Sequence, residues 1–364
     1  MMAWVRGLDR RGALAGVGVM VLLGAGIVLG SGNLRNYDPV LLTYTFGVVF
    51  SAFAVAYRTA VWLQRPPTAL YARRGLELLR RGNPVRNLLF AARAAAENLA
   101  AHRFIRKRST LRWLTHFLIA WGTLLASAVT FPLVFGWLHF ETLPDAPHVY
   151  VVKLFGVGVT RFDTASPVRY VMFNLLNLSA VMVTAGVGLA LHRRLRDGAA
   201  LSRQQFGNDI VPLLLLLAIS LTGLMLTFSA HALQGAGYQP LSLVHAIVVS
   251  GTLLYVPFGK LFHVVQRPLH VGVLLYKREG LAGPRAACRR CGEAFASAMH
   301  RDDLATVLRA SGVPVPLDLC PRCKRASLGL AQARAVAASK GPSSSSSSSC
   351  LRAFVANPGE DARG

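Results

Sequence analysis

Along this chain apolar positions gather into long runs, at roughly 13–31, 40–63, 111–135, 168–191, 209–230 and 241–264, and charged positions collect between them. Each run approaches the ~20 residues that cover the hydrocarbon core of a bilayer. The pattern predicts an all-α integral membrane protein, a six-transmembrane-helix bundle. The first run, Ala13 to Gly30, follows Arg6, Arg10 and Arg11 in the layout of a signal peptide. It is long for such a segment and no convincing small-residue cleavage site follows, so it reads as a retained helix.

Between the second and third runs, residues 66–110 repeat apolar and arginine positions at helical spacing: Leu76, Leu79, Leu89 and Phe90 among Arg80, Arg81, Arg86 and Arg93. A basic amphipathic stretch of this kind lies on a membrane surface or offers a docking face to a soluble subunit; the first is the simpler reading. The connection from Gly136 to Pro167 is long and carries Pro144, Pro147 and Pro167. Beyond Lys277 the chain turns polar. The predicted organisation is an N-terminal helix and loop (1–39), a transmembrane domain (40–275) with its amphipathic segment (64–110), a cytoplasmic four-cysteine module (285–335) and a tail (336–364). The serine run Ser343–Ser349 makes that tail low-complexity and disordered. Cys350, within it, receives no role.

Composition agrees with a membrane protein: 53% of the 364 residues are hydrophobic and 15% charged. A net charge of +24 suggests nucleic acid until its distribution is seen. Gln64 to Arg112 holds twelve Lys/Arg against Glu77 and Glu97, whereas Gly136 to Ala165 holds Lys153 and Arg161 against Glu141, Asp145 and Asp163. Positive charge marks cytoplasmic loops. The excess therefore reports topology and attraction to anionic lipid, and no nucleic-acid partner is expected. Six spans place both termini in the cytoplasm and the chain in the plasma (inner) membrane.

An ionisable side chain within a membrane span is a functional-site hypothesis, and the last run carries two, His245 and His263. On one continuous helix they stand about 27 Å apart, at two depths. Imidazole is an axial ligand of haem iron in cytochromes b. His116 opens the third run about a turn inside its cytoplasmic boundary, the depth expected of His263, so these two are the predicted pair. For His245 the available partners are His231 and His139, neither compelling; His139 and His148 could equally serve a quinone or face water. His102, His192, His270 and His300 lie in basic or polar segments and read as ordinary solvated or interfacial side chains.

Cys288, Cys291, Cys320 and Cys323 form C-x2-C-x28-C-x2-C. Two such pairs present four thiolates to one tetrahedral metal. Structural zinc is the first choice, rubredoxin-like iron the second and an iron–sulfur cluster the third, since the ferredoxin cysteine run is missing. The segment containing Asp302 between the pairs predicts a short helix.

These residues resemble the respiratory nitrate reductase gamma subunit, a membrane cytochrome b family that includes heterodisulfide-reductase-like membrane subunits. The match consists of His245, the step Pro257-Phe258-Gly259-Lys260 and His263; Asp209-Ile210 with Gly223 and Phe228-Ser229-Ala230; and Arg193-Arg194. It covers about residues 40–275. The resemblance implies that His116 and His263 hold the haem b nearer the cytoplasm and that His245 holds an outer one. The outer partner expected ten residues after His116 is Ala126 here, so the second haem is open. It also implies electron transfer between membrane quinone and cytoplasmic iron–sulfur or molybdopterin-type oxidoreductase subunits. Lys260 and Arg112 are candidate partners of haem propionates. The competing class is a haem-free membrane transporter or scaffold with a zinc-ribbon docking module; a membrane-tethered nucleic-acid binder is weaker.

Overall fold

A computed structural model describes residues 8–196, 204–313 and 315–339. The chain divides into two compact units, one up to Lys277 and one from Arg278. In the first, α1 (Arg10–Gly30), α2 (Leu42–Leu63), α3 (Pro66–Arg80), α4 (Pro84–Ala95), α5 (Arg103–Arg106) and α6 (Thr110–Val134) precede a small sheet. After the sheet come α7 (Pro167–Arg196), α8 (Val211–Ala232), α9 (Tyr238–Tyr255) and α10 (His263–Ala282), which runs on past the unit boundary. Five helical segments are long and apolar enough to cross a membrane: α1, Pro39–Leu63, α6, α7 and Phe206–Ala232. A sixth follows if α9 and the segment Lys260–Ala282 are one bent span.

Local signals set the helix ends. Asp9 accepts from the Gly12 amide at 2.6 Å and Ser109 from Arg112, each satisfying an orphan donor of a first turn. Lateral order follows the helix surfaces: α1 packs on α2, α2 on α9, α9 on α8, α8 on α7 and α7 on α6. Where α6 meets α7 the approach needs Gly122, because a Cβ there would lie 2.9 Å from the Ser179 carbonyl. At one end Ile27, Val134 and Phe135 form a buried cluster with Tyr44, Val48 and Trp137, joining α1, α2 and α6.

The basic segment folds as a helical hairpin. Pro66 and Pro67 start α3, Gly82 turns the chain at φ +69°, and Asn83 caps α4 ahead of Pro84. Buried Asn87 donates at 2.8 Å to the carbonyls of Leu78 and Arg81, tying the two helices together. Val85, Leu88 and Leu89 stay exposed on α4 beside Arg86 and Arg93. A π-helical turn, Ala96–Ala100, ends the hairpin. It is fastened to α6 by the indoles of Trp113 and Trp121, which donate to the carbonyls of Ala101 and Ala100.

The first correction concerns fold class, which is mostly helical rather than all-α. The connection between α6 and α7 is an antiparallel sheet of β1 (Leu138–Leu143), β2 (Ala146–Leu154) and β3 (Val157–Asp163) in the order β1-β2-β3. β-branched residues through β2 and β3 suit a pleated surface. Phe155 and Gly156, both at positive φ, make the two-residue hairpin turn whose twist matches the strands. Phe140, Tyr150 and Phe162 pack together, and Phe140 and Tyr150 also meet Phe173, seating the sheet on α7.

The second correction concerns the last span. His245 and His263 do not share a continuous helix: α9 stops at Tyr255, a 3-10 turn covers Lys260–Phe262, and the direction changes by 66°. Pro257 has no amide hydrogen and its ring crowds the carbonyl four residues back, that of Leu253. That carbonyl accepts instead from the Ser51 hydroxyl of α2. The Pro257 carbonyl accepts from the Arg58 guanidinium of α2, which also lies 4.2 Å over the Phe262 ring. In a bilayer, freed backbone groups must be satisfied by neighbouring helices, and α2 does so.

In the second unit, β4 (Arg285–Ala287) and β5 (Ala294–Ser297) form an antiparallel hairpin, followed by α11 (Ala298–Ala310) and α12 (Pro321–Ser339). Asp302 lies in the second turn of α11. The serine run and Cys350 fall outside the described residues.

Ser51→Ala leaves the Leu253 carbonyl without its partner, a cost of about 1–3 kcal/mol. The variant should melt below the parent protein in detergent, as followed by circular dichroism, whereas Ser242→Ala at the exposed start of α9 should not.

Candidate functional site

Three histidines from separate elements meet at the end of the bundle where α6 and α10 begin. His116, in the second turn of α6, faces His263, the first residue of α10, with ring centres 6.5 Å apart and planes at 74°. Two imidazoles on opposite sides of one metal, each bonded at about 2.0 Å, have ring centres about 6 Å apart. The His263 Nδ1–H donates to the Lys260 carbonyl at 2.6 Å, which orients the ring and leaves Nε2 as the lone-pair nitrogen. The break in the last span makes this possible, since it sets His263 at a helix start.

His102 is the third member and corrects the reading of it as an ordinary solvated or interfacial side chain. It is 8% exposed and its ring centre lies 4.7 Å from that of His116. Burial holds its imidazole below the usual pKa. Its backbone is left-handed, at φ 48°. Nδ1 of His102 and Nδ1 of His116 are both buried without a hydrogen-bond partner. Arg267 of α10 lies over the Phe104 ring at 4.8 Å, within electrostatic range of both imidazoles.

Lys260 is not free for an anionic ligand, because its ammonium pairs with Asp209. Tyr255 donates from its hydroxyl to the Gly207 carbonyl at 2.8 Å, adding a second tie between the start of Phe206–Ala232 and the break. The two sequence steps singled out around Asp209 and Lys260 thus touch each other.

His245 stands apart from this group. The Thr222 hydroxyl donates to the Ala218 carbonyl at 2.7 Å, so its oxygen accepts from His245 Nδ1–H, also at 2.7 Å. Gly223 lies against the same ring. Thus α8 fixes His245 in one tautomer, with Nε2 as its acceptor nitrogen. Neither earlier candidate is placed as its partner: His231 bonds the Thr227 carbonyl, and His139 on β1 bonds Glu141 at 3.2 Å.

In the second unit the four cysteines converge. Their sulfurs lie within 4.8 Å of one another, with Cys291 and Cys320 3.7 Å apart. Tetrahedral coordination at about 2.3 Å per bond sets neighbouring sulfurs about 3.8 Å apart. Cys288 follows β4, Gly292 closes the knuckle at φ +74°, and Cys320 and Cys323 flank the Pro321 start of α12. The Cys320 amide donates to Cys288 Sγ at 3.2 Å and the Cys323 amide to Cys320 Sγ at 3.4 Å. The Cys320 amide, with those of Cys291 and Arg290, draws the Cys288 thiol down to about 6, while burial and neighbouring sulfurs push Cys323 up to about 12. Four thiolates this close repel unless a cation lies among them, so the group could bind a metal ion.

Arg58, Thr222, Arg267 and His102 were not singled out by the sequence pattern as site residues. Arg58 carried a signal, a charge inside an apolar span; the others depend on which helices become neighbours. Replacing Cys323 by Ser should abolish stoichiometric metal in the purified full-length protein, measured by elemental mass spectrometry. The chain matches no family model, no curated protein and no solved structure.

Proposed function

We propose that this chain is a membrane cytochrome b subunit that carries electrons between the quinone pool and a soluble iron–sulfur or molybdopterin-type oxidoreductase. The single observation that carries the reading is the His116–His263 pair, two imidazoles from different helices at the separation one metal requires. Haem b, when bound, supplies one-electron chemistry, while the protein positions it and tunes its potential. The fit to this chain rests on the buried, unpartnered His116 Nδ1 and on the fixed tautomer of His263. Arg267, rather than Lys260, is the cation within range of this pair for the carboxylates of such a group.

His245 keeps one acceptor nitrogen but faces Thr222 and Gly223, so the proposal assigns one haem to His116 and His263 and leaves a second, outer haem unassigned. Basic loops place the α3–α4 hairpin on the cytoplasmic leaflet, where its exposed leucines and arginines suit anionic lipid. The same charge asymmetry supports cytoplasmic termini, in a protein proposed to sit in the plasma membrane. For the four-cysteine group the proposal is structural zinc, which organises a docking surface for the soluble partner; iron is the alternative.

A reduced-minus-oxidised spectrum of the purified protein should show a b-type haem band. Single replacement of His116 or His263 by Ala should remove it, and His245→Ala should leave it in place. Parent protein without the band overturns the reading.

A further inference from the structure

The β2–β3 hairpin leaves the apolar side chains of its tip uncovered. Phe155, Val157 and Val159 are 55%, 67% and 62% exposed, and no charged residue or proline interrupts the run between Lys153 and Arg161. Val157 and Val159 stand two apart on β3 and so share one face of the strand. β3 pairs only with β2, which leaves its other edge open. Edge strands that meet water are commonly guarded by charge or proline, and this stretch has neither.

Two sets of contacts fix the height of the tip against the bundle. Trp137 follows the end of α6, and its indole donates to the Gly26 carbonyl of α1 at 2.8 Å. Its carbonyl accepts from the Phe155 amide at 2.7 Å, and the two rings lie 5.6 Å apart. The turn therefore sits beside the ends of α1 and α6. The second set comes from α7, which starts near the other end of the strands, where the Thr164 amide donates to the His148 carbonyl. Phe173, farther along α7, meets Phe140 and Tyr150, nearer the turn. Moving along α7 into the bundle thus moves along the sheet toward its tip. Twenty residues separate Phe173 from the basic cluster at Arg193, about 30 Å of helix and the thickness of a hydrocarbon core. Phe173 then marks the far boundary of the bilayer, and the tip lies at that boundary or just inside it.

We propose that the β2–β3 hairpin is an interfacial anchor, with Phe155, Val157 and Val159 seated in the lipid leaflet opposite the α3–α4 hairpin. Its depth is bounded by the open edge of β3, whose backbone groups need partners that hydrocarbon cannot supply. The tip therefore stops at the boundary between headgroups and acyl chains, where water and lipid esters remain in reach. With no cation in the run, attraction comes from apolar burial rather than from anionic headgroups. Lys153, at its edge, is already paired with Glu141. This inference rests on the membrane spans alone and holds whether or not haem binds.

The test uses full-length protein in phosphatidylcholine nanodiscs. A keto amino acid at position 157, 159 or 145 carries a nitroxide, so that the native cysteines stay unlabelled. Power saturation of the electron paramagnetic resonance spectrum reads collisions with oxygen, which concentrates in lipid, and with a nickel chelate, which stays in water. The expected oxygen-to-nickel ratio is higher at 157 and 159 than at 145, since Asp145 is exposed in the β1–β2 turn at the opposite end of the sheet. Ratios at 157 and 159 no higher than at 145 place the tip in water and overturn the proposal. Protection of the tip from both reagents also overturns it, because a protein surface, such as a second copy of the chain, then covers the valines.

Discussion

The arrangement of the membrane unit depends on two carbonyl groups released where the last apolar run breaks. Pro257 cannot complete the helix, and in hydrocarbon an unpaired carbonyl costs several kcal/mol. Ser51 and Arg58 of α2 supply the missing donors. That requirement holds α2 beside α9 and lets α10 depart at 66°. The break is thus a relation between two helices, with α2 supplying the donors that the freed carbonyls of the last run require.

From the break the histidine group follows. A continuous helix would have carried His263 on one face of a rod, with Lys260 almost a full turn before it. The bend instead turns the Lys260 carbonyl onto His263 Nδ1 and its ammonium onto Asp209. His116 reaches the same place from α6, and the hairpin before α6 delivers His102. One backbone discontinuity therefore brings together residues from four segments of the chain.

Much of this was legible beforehand. Apolar runs long enough for a bilayer located α1, α2, α6, α7 and α8 within a few residues, because hydrophobicity over twenty positions is a strong signal. The four cysteines declared their convergence by spacing. Depth along the predicted spans sets His116 and His263 at one level, and their rings do approach, but the span carrying His263 is broken rather than continuous. Pro257 and Gly259 were visible, but a proline inside an apolar span is compatible with a kink or a break. The deciding donors lie some 200 residues away in sequence. His102 was passed over because the charges around it describe a solvated loop; its burial comes from the π-turn docking on α6. The sheet was missed for a different reason. The strand-forming residues from Val149 to Phe162 were present, with Gly156 between them, but prolines and flanking helices favoured a loop.

The bend also changes the electrostatics at the histidine pair. An unbroken span would present only the middle of a helix there, where peptide dipoles cancel along the axis. The fresh start of α10 instead exposes the positive end of a helix, equivalent to roughly half an elementary charge. His263 is the first residue of that helix, and Arg267 is one turn further on. Negative charge placed between His116 and His263 would therefore be stabilised by backbone dipoles as well as by side-chain charge. The proline that interrupts the helix thus gives the histidine pair a more positive surrounding than a straight helix of the same composition would.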